Sequence, residues 1–301
     1  MRRSRQQLTY HKYREILRIV GIHFEVQLAE IMVPRVSRRA FLAASLPLLA
    51  SPQAALAQAS PQAPAREVID YSVNVGVLFN LITFALKGTV VKEIDRTAGR
   101  YRVSMNGEGD SISLHTEASG IIKQGRFTPV EIRSHSTIRG RESRLNMSYD
   151  HDRGTVEYHS VMHTFFLGRR RQVDDMLKLP ADRRVDDLLS AELNFAANTL
   201  EQDPDGTYRT FIVRRSRPED EGPDDVSASG YHAELIPLRF QALPEGASGR
   251  LRALIDITSF SSWARRNQPA RVAFGPDRHL ESVETKLILG TTFKVLLAAG
   301  G

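Results

Sequence analysis

Apolar side chains stand at every second position along much of this chain, and this spacing limits the possible folds more than any other feature. The clearest run alternates apolar with polar residues: Ile69, Tyr71, Val73, Val75 and Val77 against Asp70, Ser72 and Asn74. A period of two is that of a β-strand with one face buried and the other in water. We therefore expect a mainly β protein.

The same period returns in short segments separated by glycine or charged turns. Its apolar positions are residues 82–90, Tyr101, Val103, Met105, Ile112, Leu114, Phe127, Val130, Ile132, Leu145, Met147, Tyr149, Val156, Tyr158, Phe211, Val213, Tyr231, Ala233, Leu235, Leu251, Ala253, Ile255, Ile257, Val283, Thr285, Leu287, Leu289, Phe293, Val295 and Leu297. Turns are predicted at Gly99, Gly107 and Gly109 and at residues 152–154. Strands this close together pair as antiparallel neighbours. The sequence thus predicts one domain over residues 67–298, an antiparallel meander that forms a barrel-like or strongly curved sheet.

One segment departs from the period of two. Apolar residues recur there at threes and fours: Val185, Leu188, Leu189, Ala196 and Leu200. Asp186 or Asp187 offers an N-terminal cap. We predict one helix over about residues 185–200, and expect it to plug or lid an open side of the sheet.

The segment before residue 60 resembles a twin-arginine export signal. Its motif residues are Ser37, Arg38, Arg39, Phe41 and Leu42, followed by a modest apolar run and by the small residues Ala55 and Ala57. Such a signal, over residues 32–59, implies partners in a twin-arginine translocase and a signal peptidase, and a periplasmic destination. Cleavage after Ala57 or Ala59 fits, with residues 60–66 as a flexible linker. The alternative is an ordinary buried helix with a basic flank.

Residues 1–31 precede this signal, whereas signals of this type begin close to the initiator. We expect translation to start at Met32, which leaves residues 1–31 as a start-site artefact or a disordered extension. The alternative takes them at face value as an amphipathic surface helix, with apolar residues at helical spacing: Tyr13, Ile16, Leu17, Val20 and Phe24.

The predicted leader also explains the net charge of +6. Residues 1–57 contain nine of the 41 basic residues and three of the 35 acidic ones, so the remaining 244 residues carry 32 of each. This balance gives no support to a nucleic-acid partner. The chain has no cysteine, which excludes disulfides, thiol chemistry and iron–sulfur clusters. No later apolar run reaches the length of a membrane span, so we expect a soluble mature protein.

Four short motifs resemble the exported bacterial family called domain of unknown function 3108, over about residues 68–297. They are residues 69–76 (Ile-Asp-Tyr-Ser-Val-Asn-Val-Gly), residues 119–120 with 125–129 (Ser-Gly and Gly-Arg-Phe-Thr-Pro), residues 185–191 (Val-Asp-Asp-Leu-Leu-Ser-Ala) and residues 289–291 (Leu-Gly-Thr). The family-motif positions are Tyr71, Gly76, Gly120, Pro129, Asp187, Ser190 and Gly290. The resemblance implies an antiparallel, barrel-like β fold, similar in outline to periplasmic lipid or lipoprotein carriers, with no established activity. Phe79-Asn80 stands where the family pattern has a second glycine.

A strongly curved sheet either encloses a cavity or fills its interior with side chains. Because the inward positions are all apolar, a cavity would suit a hydrophobic ligand, and we expect a non-enzymatic binder of such a ligand or of an envelope component, without a cofactor. A filled interior with an exposed edge strand would instead indicate a structural or assembly protein of the envelope.

Catalytic motifs are absent: the chain has no G-x-S-x-G, no H-E-x-x-H and no glycine-rich phosphate loop. One cluster, His151, Asp152, His159 and His163, suggests a Zn²⁺ site and hence a metal-dependent envelope hydrolase as an alternative. Histidines scattered on wet strand faces are the other interpretation.

Three further features are interpreted as structural. An acidic loop could attract Ca²⁺ but lacks the ligand spacing of a calcium loop, so solvation is expected for Glu219, Asp220, Glu221, Asp224 and Asp225. The Arg169-Arg170-Arg171 run is interpreted as an exposed turn. The single tryptophan, Trp263, is expected to anchor an edge of the core.

Overall fold

The computed structural model describes residues 65–77, 82–164, 167–218, 221–222, 224–243, 251–261, 264, 268–275, 279–287 and 290–297. These residues form sixteen strands and one helix, α1 (Leu188–Ala196). The strands are β1 (Ala65–Val77), β2 (Ile82–Asp95), β3 (Arg100–Gly109), β4 (Ile112–Lys123), β5 (Arg126–Ile138), β6 (Arg141–Asp150), β7 (Thr155–His163), β8 (Arg170–Lys178), β9 (Val185–Asp186), β10 (Glu201–Gln202), β11 (Thr207–Arg215), β12 (Ala233–Leu243), β13 (Arg252–Ile255), β14 (Ala270–Phe274), β15 (Leu280–Lys286) and β16 (Thr292–Leu297). The predicted mainly β fold with one helix is confirmed.

All sixteen strands of the described residues belong to one sheet. Its order is β10-β11-β12-β13-β14-β15-β16-β1-β2-β3-β4-β5-β6-β7-β8, with β9 paired in parallel to β11 and every other pair antiparallel. The last strand closes onto the first, with Tyr71 opposite Leu297. The sheet is therefore a large meander whose ends, β8 and β10, share no backbone ladder.

Alternation places the apolar residues on the inner face. In β3 the residues Tyr101, Val103 and Met105 are all buried. Val130 breaks the predicted series and is 40% exposed, because the β4–β5 register shifts between Ser119 and Gly120 and a β-bulge turns this residue outward.

The helix is shorter than the predicted 185–200. Val185 and Asp186 form β9 instead, with Val185 opposite Phe211 of β11. The helix can begin only after Asp187, whose extended backbone and side chain cap the amides of Leu189 and Ser190. Residues 189–195 are all buried, so α1 lies inside the curve of the sheet. No helix of the described chain is both long and apolar enough to cross a membrane.

Two other local predictions were wrong. Gly107 and Gly109 lie within β3 rather than in turns, because Tyr71 needs the space above Gly107: a Cβ there would be 2.3 Å from the Tyr71 hydroxyl oxygen. Residues 65 and 66 of the predicted linker 60–66 belong to β1, which begins at Ala65, and residues 60–64 lie outside the described residues.

Arg169 and Arg170 are exposed, as predicted, but Arg171 is not. Arg171 lies in β8 and is 2% exposed, and its guanidinium donates hydrogen bonds to the carbonyl oxygens of Gly222 and Asp225. Glu221 is buried beside it and accepts two hydrogen bonds from Arg215, at 3.0 and 2.9 Å. Arg171 and Glu221 thus bury one another, whereas the sequence suggested two separate solvated charge runs.

These contacts belong to a seam between the two ends of the sheet. The Asp175 carboxylate of β8 accepts a 2.8 Å hydrogen bond from the backbone amide of Ala233, the first residue of β12. Asp224 accepts another from the amide of Leu167. Side chains, rather than a strand ladder, therefore hold β8 against β12.

Candidate functional site

A small cavity lies between α1 and the strands β12 to β15. Its volume is about 30 Å³, and its lining residues are Leu188, Glu192, Leu238, Phe240, Ile255, Phe260, Val272, Phe274 and Leu280. Glu192 is the single charged residue of this lining. A water molecule needs about 10–15 Å³, so the cavity as it stands has room for one or two waters and no more.

Aromatic rings fill the neighbouring interior. The Phe195 ring of α1 lies 4.9 Å from that of Phe240, 4.8 Å from that of Phe274 and 5.4 Å from that of Tyr208, measured between centroids. The interior around Phe195 is thus packed, and the gap beside Glu192 is a local defect in this packing.

A buried ion pair reaches the edge of this cavity. Lys92 of β2 is 1% exposed and Glu192 of α1 is 8% exposed, with 3.6 Å between Nζ and Oε1. At this distance the two groups attract without a hydrogen bond, and neither Nζ nor the two carboxylate oxygens has any hydrogen-bond partner. Burial raises the pKa of the Glu192 carboxyl, and the charge of Lys92 opposes that rise.

A third charged residue faces the same pair. Glu67 of β1 is the register partner of Lys92, and its Oε1 is also buried without a hydrogen bond. Glu67 and His279 both act electrostatically on Glu192. Buried polar atoms in folded proteins are nearly always bonded, so three bare carboxylate oxygens around one bare ammonium call for a ligand or water.

Sequence reasoning missed this cluster, although a signal was present. In β2 the inward-facing positions include Leu86, Val90 and Lys92. A lysine therefore stands at a position where the alternation of the strand calls for an apolar residue. In α1, Glu192 follows Leu188 by one turn on the same face.

Three of the seven predicted family-motif positions, Gly120, Asp187 and Ser190, lie near Tyr101 on the opposite side of α1. Tyr101 Oη and Ser190 Oγ are 2.6 Å apart, and Ser190 Oγ also donates to the Asp187 carboxylate. Gly120 lies under the Tyr101 ring, where a Cβ would be 2.6 Å from a ring carbon and 2.1 Å from the Thr128 carbonyl oxygen. Burial raises the pKa of Tyr101, so its hydroxyl keeps its proton.

A buried arginine–aspartate pair completes this motif cluster. Arg126 Nη2 donates to both carboxylate oxygens of Asp186, at 2.8 and 2.7 Å. Asn194 bonds the backbone amide and carbonyl of Phe127, at 2.9 and 2.8 Å. Burial raises the pKa of Asp186 to about 6 even though Arg126 lowers it. Every polar group named here is bonded, so the cluster attaches α1 to β5 and is structural.

The remaining motif positions lie in the sheet and its turns. Tyr71 is buried in β1 above Gly107, and Gly76 stands opposite Thr292 of β16. The Pro129 carbonyl accepts a bond from the His151 ring, and Gly290 has a φ of 63° before β16.

The three candidate zinc-binding histidines do not converge. His151 bonds the Pro129 carbonyl, His159 the Asp174 carboxylate, and His163 Nδ1 lies 2.7 Å from the Glu142 carbonyl. Within the described ranges no three His, Asp or Glu residues are grouped to hold a metal ion. Asp152 lies in the turn before β7.

A larger, polar groove of about 630 Å³ lies open along β11 to β13. Its lining residues are Asp203, Asp205, Thr207, Arg239, Gln241, Leu254, Asp256, Thr258, Gln268 and Pro269. Asp205 and Asp256 accept hydrogen bonds from the amides of Thr207 and Thr258, so both carboxylates serve turns. A polar groove of this kind does not suit an apolar ligand.

Several predicted features lie outside the described residues. They are the export-signal residues Ser37, Arg38, Arg39, Phe41, Leu42, Ala55 and Ala57, together with Glu219, Asp220 and Trp263.

Comparison with known proteins defines a class only broadly. The chain matches no protein-family model and no curated protein. Among solved structures it is similar to a β-barrel-like protein of domain of unknown function DUF1849 from Brucella abortus, with 11% sequence identity and a TM-score of 0.39 over 80% of this chain and 98% of the other. Similarity this low carries no conclusion about function. From its own strands, the chain is a β-barrel-like protein: an open, curved antiparallel sheet around a buried helix.

Proposed function

We propose that this chain is an exported protein of the bacterial envelope that binds an apolar ligand without reacting with it. The ligand occupies the space between α1 and the wall formed by β12 to β15. The observation that supports this proposal is the cavity between α1 and these strands, because eight of its nine lining residues are apolar. Apolar pockets with one or two convergent polar groups are typical of small-molecule sites.

The cavity must enlarge to hold a ligand, and its outer wall is the part that can yield. The β12–β13 ladder runs only from Phe240 opposite Ile255 to Leu243 opposite Arg252, and β13 has four residues. Few backbone hydrogen bonds must break to displace this wall, and such segments open locally at low free energy.

Export rests on the sequence. The twin-arginine motif, the small residues after its apolar core and the resemblance to an exported family all support a periplasmic destination. Replacing Arg38 and Arg39 by lysine should leave the chain uncleaved in the cytoplasm. The exported wild type should begin at Gln58 or Ser60 by intact-mass measurement. Periplasmic recovery of the double variant would contradict this route.

Binding is tested with the uncharged fluorophore N-phenyl-1-naphthylamine, together with lipid extraction of protein purified from the envelope of cells expressing the full chain. We expect saturable fluorescence and a co-purifying apolar molecule. Leu238→Ala enlarges the cavity and should change the affinity for the fluorophore. Leu145→Ala on β6 is the matched control, since it removes a similar buried side chain elsewhere. Both truncations should cost about 2–5 kcal/mol of stability. Equal affinities in both variants, or no binding at all, would overturn the proposal.

A structural or assembly role is the second candidate, because aromatic rings fill the interior around Phe195. It predicts that extraction yields no bound molecule and that the fluorophore does not bind. The same two measurements therefore separate the candidates.

A further inference from the structure

The Lys92–Glu192 pair sits where the head of an amphipathic ligand would lie. Glu192 contributes to the lining of the apolar cavity, and its carboxylate oxygens are more than nine-tenths buried and unbonded. Lys92 Nζ lies 3.6 Å from one of them. A tail lying between α1 and β12 to β15 would thus bring its polar end against these two side chains.

The buried polar atoms without a hydrogen-bond partner determine which donors and acceptors the head of the ligand must provide. The two Glu192 oxygens and Glu67 Oε1 have no hydrogen-bond partner and, as carboxylate oxygens, can only accept one. Lys92 Nζ also has no partner and can only donate. A group that fits must therefore donate to carboxylates and accept from the ammonium. A hydroxyl group can both donate and accept a hydrogen bond. A head with two hydroxyl groups can therefore bond more of these unpartnered atoms than a head with one.

Charge disfavours the ionised alternatives. Any ionised head must leave water for a buried site, at a cost of several kcal/mol per ion. A carboxylate or phosphate head would also meet the like charges of Glu192 and Glu67, while the attraction of these carboxylates for an ammonium head is opposed by Lys92 Nζ. An uncharged head leaves the charge of the cluster unchanged.

We propose that the cavity is selective for uncharged amphiphiles with hydroxyl groups on the head, which the Lys92–Glu192 pair binds while the tail contacts the apolar lining. This selectivity rests on the proposed function, because it requires an apolar tail to be bound between α1 and β12 to β15.

The test is displacement of N-phenyl-1-naphthylamine by four probes that share a ten-carbon chain: monodecanoylglycerol, decanoate, decylamine and decane. Monodecanoylglycerol should compete at least about tenfold better than decanoate or decylamine, because a hydrogen bond to a charged group contributes roughly 1.5–3 kcal/mol. Decane measures the affinity of the tail alone.

The variant Lys92→Met/Glu192→Leu removes the pair and keeps the site filled by similar volumes. Replacing a buried ion pair by apolar residues is often neutral for stability, so this variant should fold. It should bind decane as the wild type does and lose the preference for monodecanoylglycerol. Arg102→Met/Glu117→Leu, which removes a 2.6 Å pair on the outer face, is the control and should keep that preference.

The outcomes distinguish the two proposals. If no probe displaces the fluorophore, apolar binding itself fails. If all four compete alike, or if decanoate or decylamine competes best, the tail is bound and the head selectivity is wrong. A preference that survives in the Lys92→Met/Glu192→Leu variant would show that other residues recognise the head.

Discussion

The two sides of α1 contact the sheet in different ways. Toward the long wall, β1 to β6, its contacts are polar: Ser190 bonds Tyr101, Asn194 bonds the Phe127 backbone, and Asp186 just before the helix bonds Arg126. Toward the short wall, β12 to β15, they are apolar rings and a cavity. Directional hydrogen bonds fix one geometry, whereas apolar contacts tolerate displacement. The helix is therefore fixed to one wall and separable from the other.

Strand length strengthens this contrast. Strands of the long wall have 10 to 14 residues; in the short wall β12 has 11, while β13, β14 and β15 have four, five and seven. A ligand site that must open should lie beside the weaker wall, which is where the cavity is found; Glu192 contributes to its lining, and Lys92 approaches Glu192 from β2 of the long wall.

Arg126→Ala should destabilise the protein most, by about 3–5 kcal/mol, because it leaves the fully buried Asp186 carboxylate without its cation. Urea unfolding at pH 7 measures this loss. Arg102→Ala is the control: it breaks an exposed pair with Glu117 on the outer face and should cost less than about 1 kcal/mol. Equal losses would mean that the long wall does not fix α1 through this pair.

Asp186 should also make stability depend on pH. Its pKa is raised from 3.8 in the unfolded chain to about 6 in the folded protein. Between pH 4 and pH 6 the carboxyl is therefore protonated in the folded state and ionised in the unfolded state. Its contribution to stability is therefore complete below pH 4 and is lost as the pH rises through 6. About two pKa units correspond to roughly 3 kcal/mol. We expect the stability of the wild type relative to Asp186→Asn to fall from pH 4 to pH 7 in urea unfolding. A rise over this range would contradict the raised pKa.

Gly120→Ala should cost about 1–3 kcal/mol, because its Cβ would overlap the Thr128 carbonyl and the Tyr101 ring on the long wall. Gly125→Ala is the control, since nothing lies within 4 Å of its Cβ and only its φ of +79° opposes the change. Thermal unfolding compares the two. A smaller loss for Gly120→Ala would show that Tyr101 can move away from α1 freely.

The sequence predicted most of the sheet and little of the site. Alternation places Tyr101, Val103 and Met105 on the inner face because burial of one strand face is a local pattern. The family-motif residues Asp187 and Ser190 also meet as a cluster. The pairing of Lys92 with Glu192 could not be predicted, because it joins residues 100 positions apart through the curvature of the sheet.

Long-range pairing also explains the errors about charge. Arg171 and Glu221 each have charged neighbours in sequence, which usually indicates exposure. Only the approach of β8 to β12 brings them within 3.6 Å and buries both. Local periodicity carries no information about which strand ends come together.

Hydrogen exchange compares the two walls directly. Amides of β13 and β14 should exchange at least about tenfold faster than those of β2 to β4, because opening the short wall breaks fewer backbone hydrogen bonds. Mass spectrometry of peptic fragments under native conditions resolves the segments. Saturating N-phenyl-1-naphthylamine should slow exchange in β13 and β14 and leave β2 to β4 unchanged. Uniform exchange across both walls would remove the basis for an opening on this side.

An effect no larger than that of Gly120→Ala is expected at the seam, which joins the outer end of the short wall to β8. Asp175→Ala should cost about 1–3 kcal/mol, because the buried Ala233 amide loses its 2.8 Å hydrogen bond to that strand. Asp174→Ala, one residue away, removes a carboxylate whose side chain is 69% exposed beside His159 and should cost no more than about 1 kcal/mol. If the seam also limits opening, Asp175→Ala should speed amide exchange in β12 while Asp174→Ala does not. Equal exchange in both variants would show that β12 is held by β11 and α1, and that the short wall opens away from the seam.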